Sequence, residues 1–130
     1  MTFINTLINK DKIIELIKFD GSSLPAFDNN CNEHYTKVCF LDLETTGLDT
    51  ANDKIIEIAV KIAAINKETG LLIGIIDQYQ SFQDPEEPIK EDITKINGIS
   101  NEMVQNHAIN WETVNNIFNN SDIIVAHNAK

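Results

Sequence analysis

The stretch VCFLDLETTGLD, residues 38–49, decides how this chain is read. It is an apolar run interrupted by acids at alternate positions and broken at Gly47. The side chains of a strand alternate between faces, so Asp42 and Glu44 point the same way, with Cα atoms about 6.5 to 7 Å apart. Two carboxylates that close resist joint ionisation unless something positive lies between them, and a hard divalent cation with oxygen ligands meets that need. The stretch therefore predicts a strand carrying half of a metal site.

Two further apolar, β-branched runs follow, KIIEIAVKIAAI (54–65) and LLIGIIDQYQSFQ (71–83), and NKETG (66–70) joins them as a hairpin-like turn. Three such runs predict an antiparallel meander. DPEEPIKEDI (84–93) opens with proline punctuation, after which Ser100 is the expected N-cap of NEMVQNH and Asn110 that of WETVNNIFNN. IIVA (123–126) reads as a short buried strand, most easily placed parallel to the first strand through a right-handed crossover. The fold class is thus α/β, with a mixed sheet. The carboxyl end of IIVA would lie beside Asp42 and Glu44, at the edge where open α/β sheets bind ligands.

On the amino-terminal side, DGSSLPAFDNNCNEH (20–34) is dense in turn formers and reads as a loop or linker. NKDKIIELIKF (9–19) gathers most of Ile13, Ile14, Leu16, Ile17 and Phe19 on one side of a helix, which predicts a short amphipathic helix. A boundary near residue 35 divides the chain into a helical extension with its linker (1–35) and a main domain (36–130).

With 130 residues and 42% hydrophobic content, the chain suits one modest soluble domain. Its formal charge of −10, from 20 acids against 10 bases, argues against a broad surface that grips nucleic acid by neutralising many phosphates. It leaves room for an enzyme that engages only a chain end, where bound cations supply the positive charge. MTFINTLINKDK lacks the pattern of a secretory signal and no run of about 18 apolar residues occurs, so a cytoplasmic location is expected. Cys31 and Cys39 lack metal-ligand spacing and read as reduced thiols, Cys39 in the core. His34 and His107 stand isolated, Trp111 reads as a core or staple residue, and Glu57 among isoleucines must face solvent or find a partner.

Taken in order, FLDLETTGLD, KIIEIAVKI, PIKEDITKINGISNEMV and IIVAHNAK resemble the proofreading-type 3′→5′ exonucleases of the DEDD (DnaQ-like) group, the class of the DNA polymerase III epsilon subunit, over residues 37–130. The resemblance implies a ribonuclease H-like fold and hydrolysis of terminal phosphodiesters with two Mg2+ or Mn2+ ions about 3.5 to 4 Å apart. Asp42 would bridge both ions and Glu44 would hold one. The backbone at Thr45, the close approach or positive φ allowed by Gly47, and Leu48 as an apolar wedge would border the terminal base. Ile96 and Asn97 match positions around the 3′-terminal nucleotide, with Asn97 standing where many members carry histidine, and Asp92, a little over one helical turn before them, reads either as a contact to the terminal 3′-hydroxyl or as a solvated helix acid. Asn128 of the HNA motif joins the substrate-binding set, and His127 shapes the turn after the last strand.

The same resemblance implies that the 3′ end of a single-stranded nucleic acid, DNA before RNA, is the partner, alongside a polymerase-type protein or a second copy. The family's second motif, HNAxFD, reaches only HNAK at residue 130, and the third motif is not within these residues. Two of four metal-binding carboxylates are therefore expected here, with an incomplete carboxyl-terminal side and weak or no activity for these residues alone. The last strand would be partly uncovered, favouring marginal stability or self-association. A non-catalytic interaction module built on the same fold and an oligoribonucleotide-trimming enzyme are the alternatives.

Overall fold

The computed structural model describes residues 3–9, 12–17 and 24–126. At the amino terminus, Phe3–Asn9 (β1) and Lys12–Ile17 (β2) pair antiparallel, with Leu7 opposite Ile14 and Asn9 opposite Lys12. This corrects the helix expected over residues 9–19, of which 9 and 12–17 are strand. Ile13, Ile14 and Ile17 are β-branched and favour a pleated strand, and an apolar run this short satisfies the helical and the extended period equally.

The main sheet contains Tyr35–Thr45 (β3), Ile55–Asn66 (β4), Leu72–Phe82 (β5) and Ile123–Ala126 (β6), in the order β5-β4-β3-β6. β3, β4 and β5 form the antiparallel meander, and β6 runs parallel to β3 with Val38 opposite Ile123 and Leu41 opposite Ala126. The expected topology holds. Asn66 closes the β4–β5 turn, its side-chain oxygen accepting from the N–H groups of Glu68 and Thr69 at 2.9 Å each.

Helices Glu91–Asn97 (α1), Asn101–Val104 (α2) and Trp111–Asn119 (α3) lie between β5 and β6 in the chain. Strand alternation turns Ile56, Ile58, Val60 and Ile62 of β4 to one face, where two clusters form. Ile58, Val60 and Ile62 join Cys39, Ile109, Val114 and Ile117, while Ile56 meets Ile89, Ile99 and Val104. Each such aliphatic side chain stabilises the fold by about 1.5 to 3 kcal/mol when fully buried. Burial also pushes the Cys39 thiol pKa up, partly offset by its hydrogen bond with Ser121, which keeps it an inert core group.

Asn110 caps α3 as expected, its Oδ1 accepting from the Thr113 N–H at 3.1 Å while its own N–H donates to the Tyr79 hydroxyl at 2.9 Å. Substituting Asn110→Ala is expected to cost about 1 kcal/mol, read as a lower urea midpoint at unchanged slope. Ser100 occupies the N-cap position of α2, but its hydroxyl donates to Glu102 at 2.7 Å instead of accepting from the helix backbone. Trp111 departs from the core reading. α3 turns Val114 and Ile117 inward and leaves Trp111 47% exposed.

Ile123, Ile124 and Val125 are 50%, 50% and 44% exposed, which corrects the reading of IIVA as a buried strand and agrees with the expectation that the last strand is partly uncovered. Among the described residues β6 is an edge strand with β3 as its one neighbour, and an apolar strand becomes buried only where other elements cover its faces. The opposite edge is better protected. Residues 25–27, expected to belong to a linker, lie along β5, where the Phe27 N–H donates to the Ile75 carbonyl at 2.9 Å and the Ile75 N–H donates to the Pro25 carbonyl at 2.8 Å. Among the described residues, no helix is long and apolar enough to cross a membrane.

Candidate functional site

β3 keeps an unbroken register past both acids: Asp42 is opposite Ala59 and Glu44 opposite Glu57, and the register shifts only between Glu44 and Thr45. Alternation therefore sends Cys39 and Leu41 to the helix-covered face and sends Phe40, Asp42 and Glu44 to the other, open face. The expected geometry of the acid pair is met. Pairing carries the pattern outward, so Ala59 and Lys61 of β4 and Gln78 and Gln80 of β5 share that face. The small side chain of Ala59 beside Asp42 leaves a hollow of about 470 Å³, whose walls include Phe40, Lys61, Gln78 and Gln80. The hollow takes in Asp42 without Glu44, so it records the concavity of the open sheet face and does not outline a cation site.

The carboxylates around this strand end divide into engaged and unengaged ones. Glu57, directly across from Glu44, accepts from the Gln80 amide at 2.7 Å, which gives the acid among isoleucines its partner. Asp49 accepts from the Asn52 amide at 2.8 Å and the Ala51 N–H at 3.0 Å, and these bonds hold its carboxyl below the usual carboxylate range. The ion pairs among the described residues join Lys54 to Glu87 and Lys95 to Glu91, and neither involves Asp42 or Glu44. An oxygen-only pair without a competing cation suits a hard divalent ion. No three His, Cys, Asp or Glu side chains among the described residues group closely enough to hold a metal, so the pair supplies only part of a coordination shell.

The turn after the acids is tightly bonded. Thr46 is buried, its N–H donates to the Lys54 carbonyl, and its hydroxyl accepts from the Lys54 N–H, both at 2.9 Å. That hydroxyl donates to Asp53 Oδ1 at 3.1 Å, while Asp53 Oδ2 accepts from the Asp49 N–H at 2.7 Å. Of the two roles expected of Gly47, positive φ and close approach, the structure overturns the first and shows a close neighbour within the protein. Gly47 is not among the residues of positive φ, and a Cβ at its position would lie 2.3 Å from Asp53 Oδ2, so the space beside it belongs to the Asp53 carboxylate. Thr45 sits at the register shift, its hydroxyl donating to the Gly47 carbonyl, and Leu48 is 99% exposed.

The other expected nucleotide contacts come from α1. Ile93 packs against the cluster around Ile56, whose neighbour Ile55 pairs with Thr45, so α1 is anchored to the strand end that carries the acids, but through the helix-covered face. Ile96 is 82% exposed, and Asp92 is exposed with its Oδ1 accepting only from the next N–H. Asn97 Oδ1 accepts from the Ile99 N–H at 3.0 Å, and Gly98, at φ 77°, ends the helix. Asn97 thus has a local turn-forming role. Asn128 and His127 fall outside the described residues. His107 stands edge-on to Phe82 with ring centroids 6.0 Å apart.

Asp53 was not singled out from the sequence. Its spacing, four residues after Asp49 and seven after Thr46, is that of one helical face, but residues 46–53 form a non-helical turn, so the period does not reveal its role. The signal available was a threonine and a glycine followed within a turn by a second aspartate.

Comparison with known proteins bears on the whole strand–helix arrangement. The family model described as Exonuclease, of the RNase T type, matches residues 39–130. DNA polymerase III PolC-type from Caldanaerobacter subterraneus subsp. tengcongensis is 42% identical over 91 residues, covering 68% of this chain and 6% of that protein. The protein of the same name from Halalkalibacterium halodurans is 36% identical over 115 residues, covering 87% of this chain and 7% of its own length. The Bacillus subtilis protein of that name is 35% identical over 99 residues, 75% of this chain and 6% of its own. The chain thus spans a small fraction of these relatives. A crystal structure of a full-length 3′-exonuclease superposes with a TM-score of 0.53 at 17% identity, covering 78% of this chain and 37% of that one, which assigns the fold as ribonuclease H-like.

Proposed function

Because the chain belongs to the exonuclease family that it matches over residues 39–130, we propose that its open strand end is the metal-holding half of a 3′→5′ exonuclease site acting on terminal phosphodiesters of DNA. The observation that carries this reading is the placement of Asp42 and Glu44 on one face, outside every ion pair among the described residues, immediately before a rigid turn. Asp42 and Glu44 hold and orient divalent magnesium or manganese there. When bound there, such ions would supply activation of the attacking water and neutralisation of charge on the phosphate and leaving oxygen.

The remaining groups act by position. The Thr45 backbone and the Leu48 side chain border the terminal base, and the open face beyond Asp42 offers Lys61, Gln78 and Gln80 to neighbouring phosphates or amides. The strongly acidic chain suits a substrate held at its end and through cations. PolC-type polymerases as relatives favour DNA over RNA and a polymerase as the working partner.

The test is a titration of the 15N-labelled 130-residue chain with Mn2+. Amide broadening is expected to centre on residues 42–48. Broadening centred instead on the acids at Asp84, Glu86 and Glu87, or spread evenly over the surface, would remove the metal assignment.

A further inference from the structure

We infer that Asp53 is a positioning residue for the 3′-terminal nucleotide: its carboxylate latches the turn that follows the acid pair and so fixes the Thr45 backbone and Leu48 at the rim of the site. The inference rests on the exonuclease reading of that rim, and it adds a residue the reading does not contain.

Three observations meet on this one side chain. Its two oxygens accept from separate points of the turn, the Thr46 hydroxyl at 3.1 Å and the Asp49 N–H at 2.7 Å, which bracket Gly47 and Leu48. The backbone closes the same ring, with the Asp53 N–H donating to the Asp49 carbonyl at 2.8 Å. Gly47 leaves room for the carboxylate, since its atoms would lie 2.3 to 2.8 Å from any Cβ there.

The bonded ring matters because Leu48 has no packing of its own. A side chain 99% exposed is directed by its backbone alone, and the backbone between Thr46 and Asp49 is spanned by the Asp53 carboxylate. Thr46 in turn exchanges two bonds with Lys54, the residue before β4, so the latch refers the rim to the sheet that holds Asp42 and Glu44. Removing the carboxylate frees the rim while leaving the acid pair on its strand. Misplacing a positioning group by as little as about 1 Å costs up to about 100-fold in productive binding and rate.

The experiment compares the 130-residue chain with its Asp53→Ala and Asp53→Asn variants, using Mn2+ alone and then thymidine 5′-monophosphate with Mn2+, read by NMR. Asp53→Ala is expected to bind Mn2+ within about twofold of wild type, to weaken the nucleotide on the order of tenfold, and to lose the nucleotide-induced shift at the Leu48 methyls. Asp53→Asn keeps an acceptor for one of the two donors and is expected to fall between them, which preserves the test if the alanine variant does not fold. Equal nucleotide affinity and equal Leu48 shifts in wild type and both variants overturn the latch. A wild-type chain that binds Mn2+ at residues 42–48 but shows no nucleotide shift at the rim overturns the exonuclease reading of the rim, and the latch with it.

Discussion

Asp42→Ala is expected to abolish the localised binding of Mn2+ or Mg2+, leaving only the diffuse attraction of an acidic surface. The argument is one of ligand count. Asp42 and Glu44 stand on one face at consecutive positions of that face, and among the described residues they lie outside the ion pairs and no third acid joins them closely enough to take over. Glu57, the nearest in register, is bonded to Gln80, and Asp49 to Asn52 and Ala51. A single carboxylate on a solvated strand cannot hold a hard cation that needs six or more oxygens, most of them then supplied by water. Calorimetry should show a heat at millimolar metal that disappears in Asp42→Ala and survives in Asp49→Ala, whose carboxylate serves its own turn. Identical heats in wild type and Asp42→Ala would sink the assignment. In a polypeptide carrying the full ligand set, the same substitution is expected to lower hydrolysis by orders of magnitude, because both charge neutralisation and positioning are lost.

What could be read from residues alone follows a physical line. Period-two alternation is local, so the placement of Asp42 and Glu44 on one face of β3 was legible, and so was the Asn66 to Gly70 turn, whose chemistry lies within five residues. The parallel placement of β6 followed from the crossover rule and not from its residues. Those residues gave the wrong burial: Ile123, Ile124 and Val125 are apolar on both faces, yet coverage depends on elements distant in sequence. The β1–β2 hairpin escaped for the opposite reason, because six residues rich in isoleucine do not distinguish 3.6 from 2. At Gly47 the positive-φ alternative fails, and the close approach seen is that of a side chain of the protein itself. A requirement for glycine arises from positive φ or from a close neighbour, and only coordinates reveal that the neighbour is Asp53.

Ile62→Ala is expected to destabilise the domain by about 2 to 5 kcal/mol, whereas Ile96→Ala should stay within about 0.5 kcal/mol. Both remove the same atoms. Ile62 is fully buried on β4 against Cys39, Ile109, Val114 and Ile117, so its loss opens a cavity in the larger core cluster; Ile96 is 82% exposed on α1. Against a typical total of about 5 to 15 kcal/mol, the first substitution should move the urea midpoint far down and the second hardly at all. The comparison also tests the site from behind. Cys39 pairs with Ile62 and Asp42 with Ala59 in one continuous register, so the alternation that buries Ile62 is the one that presents Asp42 to the open face. A slip of one residue exchanges the two faces of a strand. Should Ile62→Ala prove as mild as Ile96→Ala, the inward face of β4 would be misassigned, and the acid pair of β3 would have to turn toward the helices, where no cation could reach it.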